Sequence, residues 1–270
     1  MDDRGTDGLG TTDGHLAHER SRPGRSQLFC LPHAGGSAAG FAPWRRRIAA
    51  YARVHLVELP GRGTRWEEPP PDRLATLVAD LASRIRAEAD GPYVLYGHSF
   101  GALLAYELAH ALRPSLGEPT ALVVSGRNGP GVPHPAVPLH GLPKDRLIEQ
   151  LRELDGVPLT LLDNPDLIDP FLPALRADAR LAELYRRGRH PVLSCRIRAL
   201  AGETDPLADP AGLHRWAEET SADCEVEIIP AGHMLTGHPA FWGWIRRTLS
   251  ECTAPPYRAD RHSVELFGRR

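Results

Sequence analysis

One serine stands between two glycines at residues 97–101, in the sequence GHSFG. The apolar run YVLY (93–96) precedes it, and the helix-like run ALLAYELA (102–109) follows it. A G-x-S-x-G pattern between a strand and a helix is typical of a nucleophile elbow, whose turn is so tight that the serine backbone is strained. Large side chains at Gly97 or Gly101 would clash with the adjoining strand and helix. The alternative is an ordinary serine in a Gly-rich turn, but the flanking pattern favours Ser99 as a nucleophile.

A serine hydroxyl attacks poorly unless a base removes its proton. In folds that use this elbow, the partners follow along the chain in the order Ser, acid, His. The segment AGETDPLADP (201–210) offers three candidate acids, Glu203, Asp205 and Asp209. Asp205 is preferred because it lies in the turn at the carboxyl end of a predicted strand. Glu203 lies nearer the strand, and Asp209 stands where it would cap a helix beginning near Pro210.

The base is expected in AGHMLTGHP (231–239), which follows the last predicted strand. His233 is preferred because it comes directly after that strand, where a loop can reach back over the sheet. His238 precedes Pro239 at a predicted helix start and is interpreted as structural. His98 lies inside the elbow, where its ring points away from the hydroxyl of its neighbour, so it is interpreted as structural too. His33 could line the mouth of a pocket, although a structural role is the preferred interpretation.

A tetrahedral oxyanion requires two backbone N–H donors. One is expected from Phe100, directly after the serine, and the other from the loop after the first strand. That loop reads LPHAGGSAAGF (31–41), in which Gly35 and Gly36 permit close approach of the backbone. The amide of Ala34 is the candidate second donor. A nucleotide-phosphate loop is the rival interpretation, but neither G-x-G-x-x-G nor G-K-[ST] occurs there.

The elements that must position these residues alternate between short apolar runs and longer helical patterns. Leu74, Leu77, Val78, Leu81 and Ile85 form one helical stripe. Such alternation predicts an α/β fold with a mainly parallel central sheet flanked by helices on both faces. The predicted strands are QLFCL (27–31), RVHLVEL (53–59), YVLY (93–96), ALVVS (121–125), CRIRALA (195–201) and CEVEII (224–229).

Residues 139–189 depart from the alternation of strands and helices, because the stretch contains two helical patterns and no good strand. Leu147, Ile148, Leu151 and Leu154 share one helix face, and Leu172, Leu175, Ala179 and Ala182 share another. The stretch is predicted to be a helical lid insertion over the carboxyl ends of the strands, where open α/β sheets bind ligands. The expected organisation is a disordered polar leader (1–25), one domain (26–251) and a flexible tail (252–270).

Composition narrows the class of protein. The 270 residues are 41% hydrophobic and 24% charged, with a net charge of −2, which is typical of a soluble globular chain without a field that attracts nucleic acid or membranes. No apolar run is long enough to span a membrane, and the N-terminus has no signal-peptide core. We therefore expect a cytoplasmic protein. The four cysteines show no C-x-x-C spacing and the histidines no metal-binding spacing, so neither a metal nor a cofactor is predicted.

Five ordered segments, LFCLPHAGGSAAGFAPW, ELPGRGTRWEEP, YGHSFGALLAYELA, AGETDPL and AGHMLTGHP, together resemble the type II thioesterases of polyketide and nonribosomal peptide synthesis. The resemblance runs from about residue 27 to 249, and residues 171–186 resemble the lid of that family. It implies the α/β-hydrolase fold, a triad of Ser99, Asp205 and His233, and an oxyanion hole from the Ala34 and Phe100 amides. Met234 departs from the family, where an aromatic residue commonly follows the histidine.

The resemblance also implies a freestanding editing enzyme. Such enzymes hydrolyse acyl groups from the phosphopantetheine thiol of acyl or peptidyl carrier proteins, so the substrate brings the phosphopantetheine. We expect a monomer that contacts its carrier-protein partner transiently. The triad alone leaves two alternatives, a general carboxylesterase or lipase acting on small diffusible esters and a relative that only binds. Arg45, Arg46 and Arg47, with Arg62 and Arg65 near the next strand, could contact an acidic carrier domain or merely form a solvated face.

Overall fold

The computed structural model describes residues 26–133, 138–154 and 159–253. The expected leader (1–25) and residues 254–270 of the expected tail lie outside the described residues. Within the described ranges, the order of elements is that of a strand–helix alternation with extra helices before the fifth strand.

Six parallel strands form one sheet, in the order β2-β1-β3-β4-β5-β6. The α/β prediction is therefore confirmed, and all six predicted strands are present with small shifts at their ends. The strands are β1 (Gln27–Leu31), β2 (Arg53–Leu56), β3 (Tyr93–His98), β4 (Ala121–Ser125), β5 (Arg196–Gly202) and β6 (Cys224–Ile229).

Helices cover both faces of this sheet. Those outside the stretch between β4 and β5 are α1 (Trp44–Arg47), α2 (Leu74–Glu88), α3 (Phe100–Leu116), α8 (Pro210–His214) and α9 (Pro239–Thr253). Between β4 and β5 lie α4 (Lys144–Glu153), α5 (Leu159–Leu162), α6 (Pro165–Ile168) and α7 (Leu172–Glu183). We refer to α4–α7 as the lid helices.

Two apolar layers explain why the central strands read as unbroken hydrophobic runs. In β1, Phe29 and Leu31 point into a core shared with α2 and α3, while Leu28 and Cys30 point into a second core shared with α1 and α9. Strands that are buried on both faces have no polar side to alternate with. The lid helices have a small core of their own, formed by Leu147, Leu151, Leu162, Ile168, Leu172 and Leu175.

The register of the sheet places the strand ends that carry the candidate residues along one edge. Leu31 pairs with Gly97, His98 with Ser125, and Gly202 with Ile229. Because the strands are parallel, the loops that follow them all emerge at this edge. The carboxyl ends of such strands are where α/β proteins bind their ligands.

Candidate active site

Ser99 joins β3 to α3 in a strained conformation. Its φ is 56° and its ψ is −114°, and among the described residues it is the one non-glycine residue with a positive φ. A Cβ atom at Gly97 would lie 1.9 Å from the Gly101 carbonyl oxygen, and one at Gly101 would lie 2.2 Å from the Leu31 carbonyl oxygen. The two glycines are therefore required by close packing of the strand, turn and helix. This turn presents Ser99 at the start of α3, where backbone N–H groups favour a negative oxygen.

His233 and Asp205 meet across the loops that follow β6 and β5. The Nδ1 atom of His233 lies 2.9 Å from Oδ1 and 3.0 Å from Oδ2 of Asp205. Both side chains are buried, and Asp205 Oδ1 also accepts a hydrogen bond from the Leu207 N–H at 2.8 Å. The ionised carboxylate thus favours the tautomer in which Nδ1 carries the proton, which leaves Nε2 free to accept one.

The other candidate acid and base residues lie in helix caps or on the surface. Asp209 caps α8, because its Oδ1 accepts from the Gly212 N–H at 2.8 Å and its Oδ2 from the Asn128 side-chain amide at 2.9 Å. These hydrogen bonds lower the pKa of Asp209, that from Gly212 being the strongest influence. Glu203 is exposed to solvent. His238 accepts from the Ala240 N–H at 3.2 Å at the start of α9, in keeping with its interpretation as structural.

Gly126, the residue after β4, lies next to the elbow and next to His233. The Ser99 N–H donates to the Ser125 carbonyl oxygen at 2.8 Å, and Ser99 and Gly126 line the same small pocket. A Cβ atom at Gly126 would lie 3.2 Å from Cε1 of His233. The φ of Gly126 is +62°, a conformation that favours glycine. A Cβ atom there would also lie 2.5 Å from Cε1 of His98, so a glycine at this position leaves room for both histidine rings.

Two further histidines line the same region without carrying charge near neutral pH. The rings of His98 and His233 have centroids 4.9 Å apart, and those of His33 and His98 lie 6.1 Å apart. Burial is the main cause that lowers the pKa of His98 well below its ordinary value, and burial lowers the pKa of His33 to about 4. Nδ1 of His98 lies 3.0 Å from Ser125 Oγ, in keeping with a structural role. His233 therefore has neutral imidazoles around it.

The two predicted oxyanion donors belong to the segments that follow β3 and β1. Phe100 is the first residue of α3, so its N–H has no partner within the helix. Ala34 lies in the turn after β1 and packs against both the main core and the core of the lid helices. The N–H of the next residue, Gly35, donates to Asp178 Oδ2 at 2.9 Å, and the Gly36 N–H donates to the His33 carbonyl at 2.9 Å. The peptide groups before and after Ala34 are thereby both held by hydrogen bonds.

The basic cluster proposed from the sequence divides into two environments. Arg45, Arg46 and Arg47 are exposed, and the guanidinium of Arg47 stacks on the Trp242 ring with its central carbon 4.4 Å from the ring centroid. Arg62 and Arg65, in contrast, are buried. Arg62 pairs with Asp178, and Arg65 pairs with Glu68 and Asp80. The expectation that Arg62 and Arg65 belong to an exposed docking surface was wrong, because both charges are neutralised inside the protein.

Asp178 is the residue of this region that sequence reasoning missed. It lies on α7 within the sequence LRADAR, where an acidic residue between alanines reads as part of a solvated helix face. The one hint in the sequence is that its neighbours on the helix, Leu175 and Ala179, were both assigned to the apolar face, and the structure shows that Asp178 is fully buried beside them.

The part of the chain that the structure describes lacks two kinds of feature. None of the helices there has the length and apolar character needed to cross a bilayer. No three His, Cys, Asp or Glu side chains in those same ranges are grouped so that they could hold a metal ion.

Comparisons with known proteins agree with this geometry. A family model described as "Thioesterase domain" matches residues 26–246. Gramicidin S biosynthesis protein GrsT of Aneurinibacillus migulanus is 34% identical over 210 residues, covering 77% of this chain and 82% of that protein. Linear gramicidin dehydrogenase LgrE of Brevibacillus parabrevis is 33% identical over 212 residues, covering 77% and 81%. The structure of the type II thioesterase BorB from the borrelidin biosynthetic cluster superposes with a TM-score of 0.77 at 36% identity, covering 85% of this chain and 94% of that one.

Proposed function

The chain belongs to the thioesterase domain family and has the α/β-hydrolase fold, and we propose that Ser99, His233 and Asp205 are its catalytic triad. The observation that carries the proposal is the buried contact of His233 Nδ1 with Asp205, at 2.9 Å, beside a strained serine at the elbow. A histidine held in this tautomer has its other nitrogen available for the serine proton.

In the acylation step, His233 removes the Ser99 hydroxyl proton and Ser99 Oγ attacks the thioester carbonyl carbon. The carbonyl π electrons move to the oxygen, and the Ala34 and Phe100 amides donate to that oxyanion. When the intermediate collapses, the C–S bond breaks and His233 returns the proton to the leaving sulfur. The products are an acyl ester on Ser99 and a free thiol.

Deacylation repeats these steps with water. His233 removes a proton from the water, whose oxygen attacks the ester carbonyl under the same two amides. The ester C–O bond then breaks, and the proton passes to Ser99 Oγ as the free acid leaves. In both steps Asp205 orients the imidazole and stabilises its positive charge, without taking the proton itself.

We assign as substrate the acyl groups carried on the phosphopantetheine thiol of acyl or peptidyl carrier proteins. The reaction would clear stalled or aberrant intermediates from a polyketide or nonribosomal peptide synthase. The support comes from relatives that match most of this chain, among them the type II thioesterase BorB of the borrelidin cluster and the gramicidin S biosynthesis protein GrsT. The phosphopantetheine arrives with the substrate, so the proposal includes no bound cofactor or metal. The free cysteines Cys30, Cys195, Cys224 and Cys252 suit the reducing cytoplasm, where we propose that the enzyme acts as a monomer.

The dehydrogenase name of one relative is not transferred to this chain. Hydride transfer from a dinucleotide is typically served by a G-x-G-x-x-G loop after the first strand. The corresponding loop, LPHAGGSAAGF (31–41), lacks that pattern. The start of this loop instead lies against the elbow, where a Cβ atom at Gly101 would be 2.2 Å from the Leu31 carbonyl oxygen and 2.7 Å from that of Pro32.

The test is to compare one short acyl group on three carriers: a holo carrier protein, a small pantetheine thiol and a p-nitrophenyl ester. The wild-type protein and Ser99→Ala are measured side by side by release of the acid. Faster, Ser99-dependent release from the carrier protein is expected. Preference for the free oxyester with no response to the carrier would make the protein a general esterase. Release by Ser99→Ala at the wild-type rate would overturn the triad.

A further inference from the structure

A buried ion pair joins lid helix α7 to the loop after β2. Arg62 is 1% exposed and Asp178 is 0% exposed. Arg62 Nη2 donates to Asp178 Oδ1 at 3.0 Å, and Arg62 Nη1 donates to Asp178 Oδ2. Arg62 also donates to the carbonyl oxygens of Pro60 and Gly36, at 3.1–3.3 Å. The guanidinium is therefore held from several sides, by α7 and by the loops after β1 and β2.

Asp178 links the fixed guanidinium of Arg62 to the loop after β1. Its Oδ2, which accepts from Arg62, also accepts from the Gly35 N–H at 2.9 Å. Burying two opposite charges is often no more favourable for stability than an apolar pair of the same size. The contact to Gly35 gives this pair a second effect, which is to set the peptide group next to Ala34.

A neighbouring residue on α7 contacts the same glycine through apolar atoms. Leu175 lies one turn before Asp178, so both face the loop. The φ of Gly35 is +72°, and a Cβ atom there would lie 2.8 Å from Leu175 Cδ1. Leu175 belongs to the core of the lid helices, against which Ala34 also packs. One face of α7 therefore holds the loop by a polar and an apolar contact together.

From these contacts we infer that Arg62 and Asp178 are positioning residues, which orient the Ala34 amide for the oxyanion by docking α7 on Gly35. The inference rests on the proposed function, because it assumes that Ala34 donates to the oxyanion. Neither residue touches the reacting atoms. The oxyanion hole is complete only while α7 is seated, so the lid helices and the chemistry are coupled through this pair.

The test removes the pair without leaving a buried charge. The double variant Arg62→Met/Asp178→Leu replaces both side chains with apolar ones of similar volume, and its thermal unfolding is compared with that of the wild type. The control is Arg152→Met/Asp163→Leu, which removes an ion pair of the lid region whose side chains are 40% and 61% exposed. Each protein is assayed for thioester hydrolysis. Each is also titrated with two matched inhibitors, a trifluoromethyl ketone that forms a tetrahedral oxyanion and the corresponding unreactive amide.

A folded double variant is expected to lose about 10²-fold in kcat with little change in KM, since one oriented oxyanion donor has an effect of that size. Its affinity for the ketone should fall by a similar factor relative to the amide, whereas the control pair should change neither. Wild-type kcat and an unchanged ketone-to-amide ratio in the folded double variant would show that the pair is structural only.

Two further measurements keep the result decisive. If the double variant does not fold, Asp178→Asn replaces it, because that substitution keeps an oxygen acceptor and removes the charge. A fall in its affinity for the ketone relative to its affinity for the amide supports the inference, and an unchanged ratio of the two affinities overturns it. Failure of the proposed function is seen separately, since Ser99→Ala would then retain hydrolysis whatever the lid variants do.

Discussion

Asp205 and His233 are 28 residues apart in the chain, yet the Asp205 carboxylate lies 2.9 Å from Nδ1 of His233. The parallel pairing of β5 and β6 brings this about, because Gly202 and Ile229 are partners in the sheet and each side chain follows its strand by a few residues. The two loops also pack closely, since a Cβ atom at Gly202 would lie 2.2 Å from the Ala231 carbonyl oxygen. The contact between Asp205 and His233 thus follows from the pairing of β5 and β6 at their carboxyl ends.

Substitution of Asp205 tests its contact with His233 directly. Asp205→Asn keeps the shape of the side chain but loses the charge that selects the histidine tautomer, so kcat is expected to fall by about 10⁴-fold. The matched control is Glu203→Gln on the same loop, whose side chain is exposed and should leave kcat unchanged. Steady-state hydrolysis of a short acyl thioester measures both. A larger loss in Glu203→Gln than in Asp205→Asn would show that the wrong acid was chosen.

The close packing of the elbow predicts that the stability of the protein depends strongly on Gly97 and Gly101. Gly101→Ala places a Cβ atom 2.2 Å from the Leu31 carbonyl oxygen, which forces the elbow and β1 apart. We expect the free energy of unfolding in urea to fall by about 3 kcal/mol. Gly243→Ala in the interior of α9 is the control, because its Cβ would meet only an arginine nitrogen at 3.9 Å. Since alanine is the better helix former, that variant should be more stable by about 0.5–1 kcal/mol. Equal stabilities of the two variants would contradict the close packing of the elbow.

Acid is expected to destabilise the protein through its buried histidines. Burial lowers the pKa of His33 to about 4 and is the main cause that lowers the pKa of His110 to about 4. The unfolded chain titrates its histidines near the ordinary value of 6.5. Between about pH 6.5 and pH 4 the unfolded state therefore binds protons that the folded state does not, so the free energy of unfolding falls as the pH falls.

Urea unfolding at about pH 7.5 and about pH 5 measures this effect, which should amount to about 1–2 kcal/mol for each such histidine. His110→Phe removes one titrating group far along α3 from the elbow and should reduce the difference between the two pH values. The same difference in His110→Phe and wild type would show that His110 does not titrate with a lowered pKa.

The exposed arginines of α1 predict how a carrier protein is recognised. Reversal of charge at Arg45, Arg46 and Arg47 should weaken binding of an acidic holo carrier protein by about 10-fold at low salt and reduce the salt dependence of binding. Hydrolysis of a small pantetheine thioester should not change. The control reverses three exposed arginines elsewhere, Arg84, Arg215 and Arg247, and so alters the net charge equally. Equal losses in the two variants would place carrier docking away from α1.

Local patterns in the sequence were sufficient for the strands, the elbow and the order of the candidate residues. The runs that became β1 and β3–β6 are short, apolar and bounded by turn residues, so each could be recognised without its neighbours. The strain at Ser99 follows from the two flanking glycines, which admit a turn that other residues would block. The strand order, β2-β1-β3-β4-β5-β6, was not part of that prediction, because pairing is decided between strands that are distant in the chain.

What the sequence determined by itself is the set of elements and which residues end each strand, since periodicity and turn chemistry act over a few residues. The tertiary structure alone decided which charges are buried. Arg62 reads as one of many arginines and Asp178 as a polar position on an amphipathic helix, yet the two form a buried pair across 116 residues. Their burial depends on how α7 packs over the loop after β1. A charge enters a protein interior only when a partner from elsewhere in the fold neutralises it, and no local pattern contains that partner.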